Sequence, residues 1–231
     1  NSVLNAWARC RRYDAPERAS LFFQNRFLLQ NNSSSSSIQP DSASYNSLIN
    51  VWATSLHPNR AKEALRILTE MDPSLRDICS FNTALNAARS DFATLVGIFQ
   101  MLRNSTTTTT PHSSSSSSTT TTTTTIQPDH VTFGSLLKAT RSLPTMEESI
   151  LWQRRFFWAC IKAKQMKGSV MDSFKKVASE ELYQEMLPIY LQYECRHYER
   201  KNTQHQDDND DQSFTTNSNH HHNHNSKNNN I

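Results

Sequence analysis

Glycine is almost missing from this chain, with Gly97, Gly134 and Gly168 the only three among 231 residues. Without a glycine cluster, no phosphate-cradling loop, dinucleotide fingerprint or nucleophile elbow can be written. Hairpin turns of the Asn-Gly type are absent as well, which argues against an all-β fold. Cysteine is sparse and scattered, at Cys10, Cys79, Cys160 and Cys195. No close-spaced pair exists for zinc or redox chemistry, so buried thiols in a reducing compartment are expected. No apolar run approaches the roughly 18 residues of a membrane span, and no membrane partner is expected.

Apolar residues are also scarce, at 35 % of the chain. The polar excess is concentrated in three tracts, residues 31–37, 104–125 and 201–231, which are nearly pure Ser, Thr, Asn, His and Asp. Such tracts bury too little apolar area to offset about 1–2 kcal/mol of backbone ordering per residue. The first two are expected to be low-complexity loops, and the last a disordered tail. What is left is enough for one domain or a short repeat array. Its charge is basic, with nine Lys and Arg residues between Lys138 and Lys176 against Glu147, Glu148 and Asp172. A stretch of this kind suits phosphate contact, and equally a solvated face. Because the chain opens on Asn1, a longer protein is expected, with its targeting segment and further repeats upstream.

An internal repeat runs beneath the insertions. Asn1-Ser-Val-Leu-Asn-Ala-Trp-Ala aligns with Asn46-Ser-Leu-Ile-Asn-Val-Trp-Ala, then with Asn82-Thr-Ala-Leu-Asn-Ala-Ala-Arg and Gly134-Ser-Leu-Leu-Lys-Ala-Thr-Arg. A second anchor precedes three of these, at Ile38-Gln-Pro-Asp41, Leu75-Arg-Asp77 and Ile126-Gln-Pro-Asp129. With the Ser/Thr tracts removed, the period is about 35 residues, the length of a helix-turn-helix repeat.

Each repeat reads as two helices. Tyr45, Leu48, Ile49 and Trp52 fall at helical spacing, and His57-Pro58-Asn59 interrupts them. Ala64, Leu65, Ile67, Leu68 and Met71 form the apolar face of the partner helix. The same pattern predicts helices over 78–90 and 91–103, over 131–140, and from about Met146, where Thr145 and Glu148 form a capping box. Two more are predicted over 169–177 and 179–201. One pair cannot bury its own apolar face, so the expected fold is all-α, an α-solenoid of stacked helix-turn-helix repeats with low-complexity insertions. Four repeats occupy 1–149 and capping helices occupy 150–200.

Period, pairing and motif together resemble the pentatricopeptide-repeat family. The residues carrying the resemblance are Asp41-Ser-Ala-Ser-Tyr45-Asn46-Ser-Leu48-Ile49, followed by Ala64-Leu-Arg-Ile-Leu-Thr-Glu-Met71, with Ile126-Gln-Pro-Asp129-His-Val131-Thr-Phe133 repeating the opening. The resemblance covers about residues 1–149. It implies recognition of single-stranded RNA, one base per repeat, read by two or three side chains. The family's reading pairs fall here on Asn1 with Asp41, Asn46 with Asp77, and Asn82 with Asp129. Asn with Asp in that family favours uridine, so a short U-run is implied. The residues that wedge between bases fall on Ala43, Cys79 and Val131, of which only Val131 is full-sized. Gly134 takes the reading position of the fourth repeat, which is expected to read nothing. Arg9, Arg89 and Arg141 lie near the ends of first helices, within reach of phosphates.

The same residues have plainer readings. Asp41, Asp77 and Asp129 precede helices, where Asp is a favoured N-cap. The recurring Asn5, Asn50 and Asn86 suit a structural ladder between repeats. An α-solenoid is also a general protein-interaction scaffold, and this is the competing function. No catalytic constellation is found: His197-Tyr-Glu199 begins a deaminase signature whose Pro-Cys-x-x-Cys half is missing. The acids at 207–211 and the histidines at 220–224 lie on the tail, and no metal, cofactor or enzymatic activity is assigned. The resemblance implies work in a mitochondrion or plastid, on RNA processing, stability or translation.

Overall fold

Aspartate starts three of the helices that open a pair. In the computed structural model, which describes residues 1–10, 12–28, 39–105 and 125–217, Asp41 caps α3 (Ser42–Thr54), Asp77 caps α5 (Ile78–Ala87) and Asp129 caps α7 (His130–Ala139). Each carboxylate accepts the backbone N–H three residues on, at 2.8 Å from Ser44, 2.7 Å from Ser80 and 2.8 Å from Thr132. Ser80 and Thr132 return the bond to the capping residue's own N–H, closing two capping boxes. The box expected at Thr145 is seen from one side, its hydroxyl accepting the Glu148 N–H at 3.2 Å.

The helices are α1 (Ser2–Arg9) with α2 (Ala15–Phe23), α3 with α4 (Arg60–Glu70), α5 with α6 (Phe92–Ser105), and α7 with α8 (Met146–Lys162), followed by α9 (Gly168–Lys175) and α10 (Glu180–Asn217). Among the described residues there is no strand, and no helix is long and apolar enough to cross a membrane. The inserted tract 31–37, residues 106–124 of the second tract and residues 218–231 of the tail, including its histidines, lie outside the described residues. The backbone of α10 continues helically to Asn217, past the start of the expected tail at 201.

One compact unit spans Asn1–Tyr183 and a second begins at Gln184. Within the first, α1, α3, α5, α7 and α9 are neighbours in that order and form one row. Behind them, α2 lies against α1 and α3, α4 against α3 and α5, and α6 against α4 and α5. Helices α8 and α9 both pack on α7, so two of the expected capping helices share the compact unit with the helices before them. The second unit is the remainder of α10, with Pro188 inside the helix.

The core follows the two faces read from the sequence. Ala19 and Ala64, equivalent positions of α2 and α4, are fully buried where larger side chains would hold the helices apart. Leu48, Ile49, Trp52, Ile67 and Leu68 are buried beside them. Trp52 donates its indole N–H to the Ser20 hydroxyl at 3.0 Å, and Thr54 donates to the Ala8 carbonyl at 3.1 Å, so α3 is held to both helices before it. Further on, Phe99 of α6 meets Phe133 of α7 and Phe156 of α8 with ring centroids 6.3 and 6.0 Å apart. Cys160 is buried, while Cys79 and Cys195 are exposed and Cys10 is intermediate. The expectation of uniformly buried thiols is therefore corrected, because Cys79 sits on the outer side of the first turn of α5.

Candidate nucleic-acid interface

The row of first helices brings two of the three expected residue pairs into contact. Asn46 is half-buried on α3, and its amide donates to the two carboxylate oxygens of Asp77 at 3.3 and 3.5 Å. Asn82 of α5 donates in the same way to Asp129 Oδ1 at 3.1 Å. These partners are 31 and 47 residues apart in sequence. They meet because each Asn lies one turn inside its helix, beside the N-cap of the next helix in the row. Each aspartate thus caps its own helix and also orients the carboxamide of the helix before it.

The third pair is not joined. Asn1 is exposed, and among the described residues no hydrogen bond links its side chain to Asp41. Asp41 is instead held by Ser44, whose hydroxyl and backbone N–H keep its carboxyl below the usual range. Asn1 is the N-cap of α1, whereas Asn46 and Asn82 lie one turn inside α3 and α5.

Both joined carboxylates are partly buried. For Asp77 burial alone would raise the pKa, but it is outweighed by hydrogen bonds from the Ser80 backbone and hydroxyl, from Ser42 and from Asn46, and the pKa falls. Asp129 behaves alike, with burial outweighed by the Thr132 backbone, Asn82 and the Thr132 hydroxyl. Both groups stay ionised at neutral pH and act only as acceptors, so each fixes which end of the neighbouring carboxamide faces it. The Asn46 amide also lies 3.5 Å from the Ser42 hydroxyl, and the Asn82 carboxamide oxygen accepts the Thr132 hydroxyl at 2.7 Å. The Oδ1 of Asn46 is buried with no hydrogen-bond partner, an arrangement that costs free energy until a donor reaches it.

The three wedge positions occupy the same place in the first turn of each helix. Ala43 and Cys79 are exposed, and Val131 is 48 % exposed. Gly134 is buried on α7, and a side chain there would first meet the Ser173 hydroxyl of α9, 3.6 Å from its Cβ. Of the arginines at helix ends, Arg9 and Arg89 are exposed, whereas Arg141 donates to the Lys176 carbonyl at 2.7 Å and ties the end of α7 to the end of α9. Asn5 and Asn86 are exposed and Asn50 half-buried, and among the described residues no hydrogen bond joins their side chains into a ladder. Among the described residues no group of His, Cys, Asp and Glu is placed to hold a metal ion.

Ser42 was missed by sequence reasoning. It lies one turn before Asn46, and its hydroxyl donates to Asp77 Oδ2 at 2.9 Å, so Asp77 is gripped by two residues of α3. Asp41, Asp77 and Asp129 signalled the caps by standing just ahead of each helical pattern. Nothing local signalled Ser42, because its partner comes from the next repeat. No family model, curated protein or solved structure matches this chain.

Proposed function

We propose that Asn1–Tyr183 is a short α-solenoid of helix-turn-helix repeats that binds single-stranded RNA along its row of first helices. The observation that carries this reading is the repeated Asn–Asp contact, at 3.3 Å between Asn46 and Asp77 and 3.1 Å between Asn82 and Asp129. A carboxamide held by a carboxylate has a fixed polarity. Its amide nitrogen suits a base carbonyl, a group that a uracil edge presents. The exposed first-turn positions Ala43, Cys79 and Val131 flank these pairs, where they would pack against base faces.

The protein acts in this reading as a binding module without catalysis. Its role in organellar RNA processing, stability or translation follows from the family resemblance. Stacking is worth about 1–3 kcal/mol per base, and two ordered joints therefore give about 2–6 kcal/mol gross, weak binding of about tens of micromolar at best. The test is titration of the chain with fluorescent U-rich and A-rich RNA at low salt, beside an Asn46→Ala, Asn82→Ala variant. A preference for U-rich RNA that disappears in the variant is expected. Equal binding to both, unchanged by the substitutions and abolished by salt, would reduce the interface to a basic face and overturn the base-reading assignment.

A further inference from the structure

The row contains one more joint of the same geometry, and its chemistry is reversed. In the joint between α3 and α5, the first residue of one helix reaches the N-cap of the next, Ser42 to Asp77 at 2.9 Å. Between α7 and α9 the same two positions are His130 and Lys167, with Lys167 Nζ 3.4 Å from His130 Nδ1. Lys167 is the N-cap of α9 and is exposed. No side chain caps that helix, whereas aspartate caps α3, α5 and α7. The reading position between them is Gly134, which leaves no side chain beside the pair. Where the earlier joints offer a carboxamide on a carboxylate, this one offers an ammonium beside an imidazole.

A lysine in place of the aspartate cannot orient a carboxamide to read a base. It presents three donors and a positive charge, which suit an oxyanion. The nearest carboxylate on the same helix start, Asp129, is taken up by Thr132 and Asn82. Lys164 is exposed three residues before Lys167 and adds charge of the same sign. We infer that Lys167 and His130 form a phosphate-binding joint at the end of the row, holding a phosphate oxyanion where the preceding joints hold bases. In the RNA-binding reading, on which this rests, the oxyanion is a backbone phosphodiester. A free phosphate shares the chemistry and would bind through the same two groups.

The two sources, and the two proposals, separate in one set of measurements on the full chain. Lys167→Ala is compared with Lys176→Ala, a substitution in the same basic stretch but away from the joint. A phosphate contact carries no base information, so Lys167→Ala weakens U-rich and A-rich RNA by the same factor, about fivefold, the net worth of one ordinary hydrogen bond. It also lowers the slope of log affinity against log salt by about 0.7, the single-strand value for one phosphate contact. Lys176→Ala does neither. If Lys176→Ala matches Lys167→Ala, or if Lys167→Ala changes the base preference, the assignment is overturned. If the unaltered chain binds no RNA, the base-reading proposal fails. Titration with inorganic phosphate, followed by NMR of the His130 ring, then decides for the joint itself. Ring shifts that vanish in Lys167→Ala retain it as an anion site, and no shift in the unaltered chain overturns it.

Discussion

Asp77 and Asp129 each serve two masters, a helix start and a carboxamide from the helix before. Their pKa values are lowered in the fold, so the stability they contribute is fully present above the unfolded carboxylate pKa of about 4 and is lost as pH falls through the folded value. Thermal melts between pH 6 and pH 2.5 are expected to show this loss starting below about pH 4. In an Asp77→Asn, Asp129→Asn variant the caps persist while the charges do not, so that part of the pH dependence disappears. Cys79 offers a second handle at this scale. It is exposed in the first turn of α5, whereas burial pushes the Cys160 thiol up to about 12. Thiol labelling of the native chain is expected to modify Cys79 and spare Cys160, and bound U-rich RNA should slow labelling at Cys79. Rapid labelling of Cys160 would contradict the packing of α8. Gly97 lies inside α6 with open space where a Cβ would stand. Gly97→Ala should therefore stabilise the fold by about 0.5–1 kcal/mol in denaturant titration.

Helix starts were legible because the residues that set them are local. Asp41, Asp77 and Asp129 each precede Ser or Thr by three positions, and that spacing is the cap itself. The Asn–Asp pairing was indicated only by the family resemblance, since nothing around Asn82 indicates a partner 47 residues away. Contacts with no repeat equivalent left no such trace. Gln153 is the clearest: it is 2 % exposed on α8, and its amide lies 3.1 Å from the Thr140 hydroxyl, 2.9 Å from the Ser149 hydroxyl and 3.2 Å from the Val177 carbonyl. It joins α8 to the end of α7 and to the turn after α9. Gln153→Ala leaves those groups without the amide, and a loss of about 1–3 kcal/mol is expected in denaturant titration. A change under about 0.5 kcal/mol would mean the joint is held by the aromatic contacts of Phe156 instead.

At the scale of the molecule, the composition that argues against an ordinary globular core is explained by where the polar residues lie. Removing the polar tracts exposes a period, and the first helices it predicts, α1, α3, α5 and α7, are successive neighbours. That order was readable before any coordinate, because equivalent residues of a repeat must meet equivalent neighbours. The boundary between repeats and cap was not. Helices α8 and α9 lack the anchor motif, yet α9 takes the next place in the row, with Lys167 where aspartates stand before. The row thus has two carboxamide joints followed by a cationic one. On the proposed reading, Asn46 and Asn82 face a ligand while other asparagines of the same helices do not. The most direct measurement is NMR of the asparagine side-chain amides during titration with a U-run RNA. The amide resonances of Asn46 and Asn82 are expected to shift together and saturate together, with Asn50 and Asn86 unmoved. Shifts confined to the lysines and arginines between Lys138 and Lys176, with Asn46 and Asn82 unchanged at saturation, would contradict it.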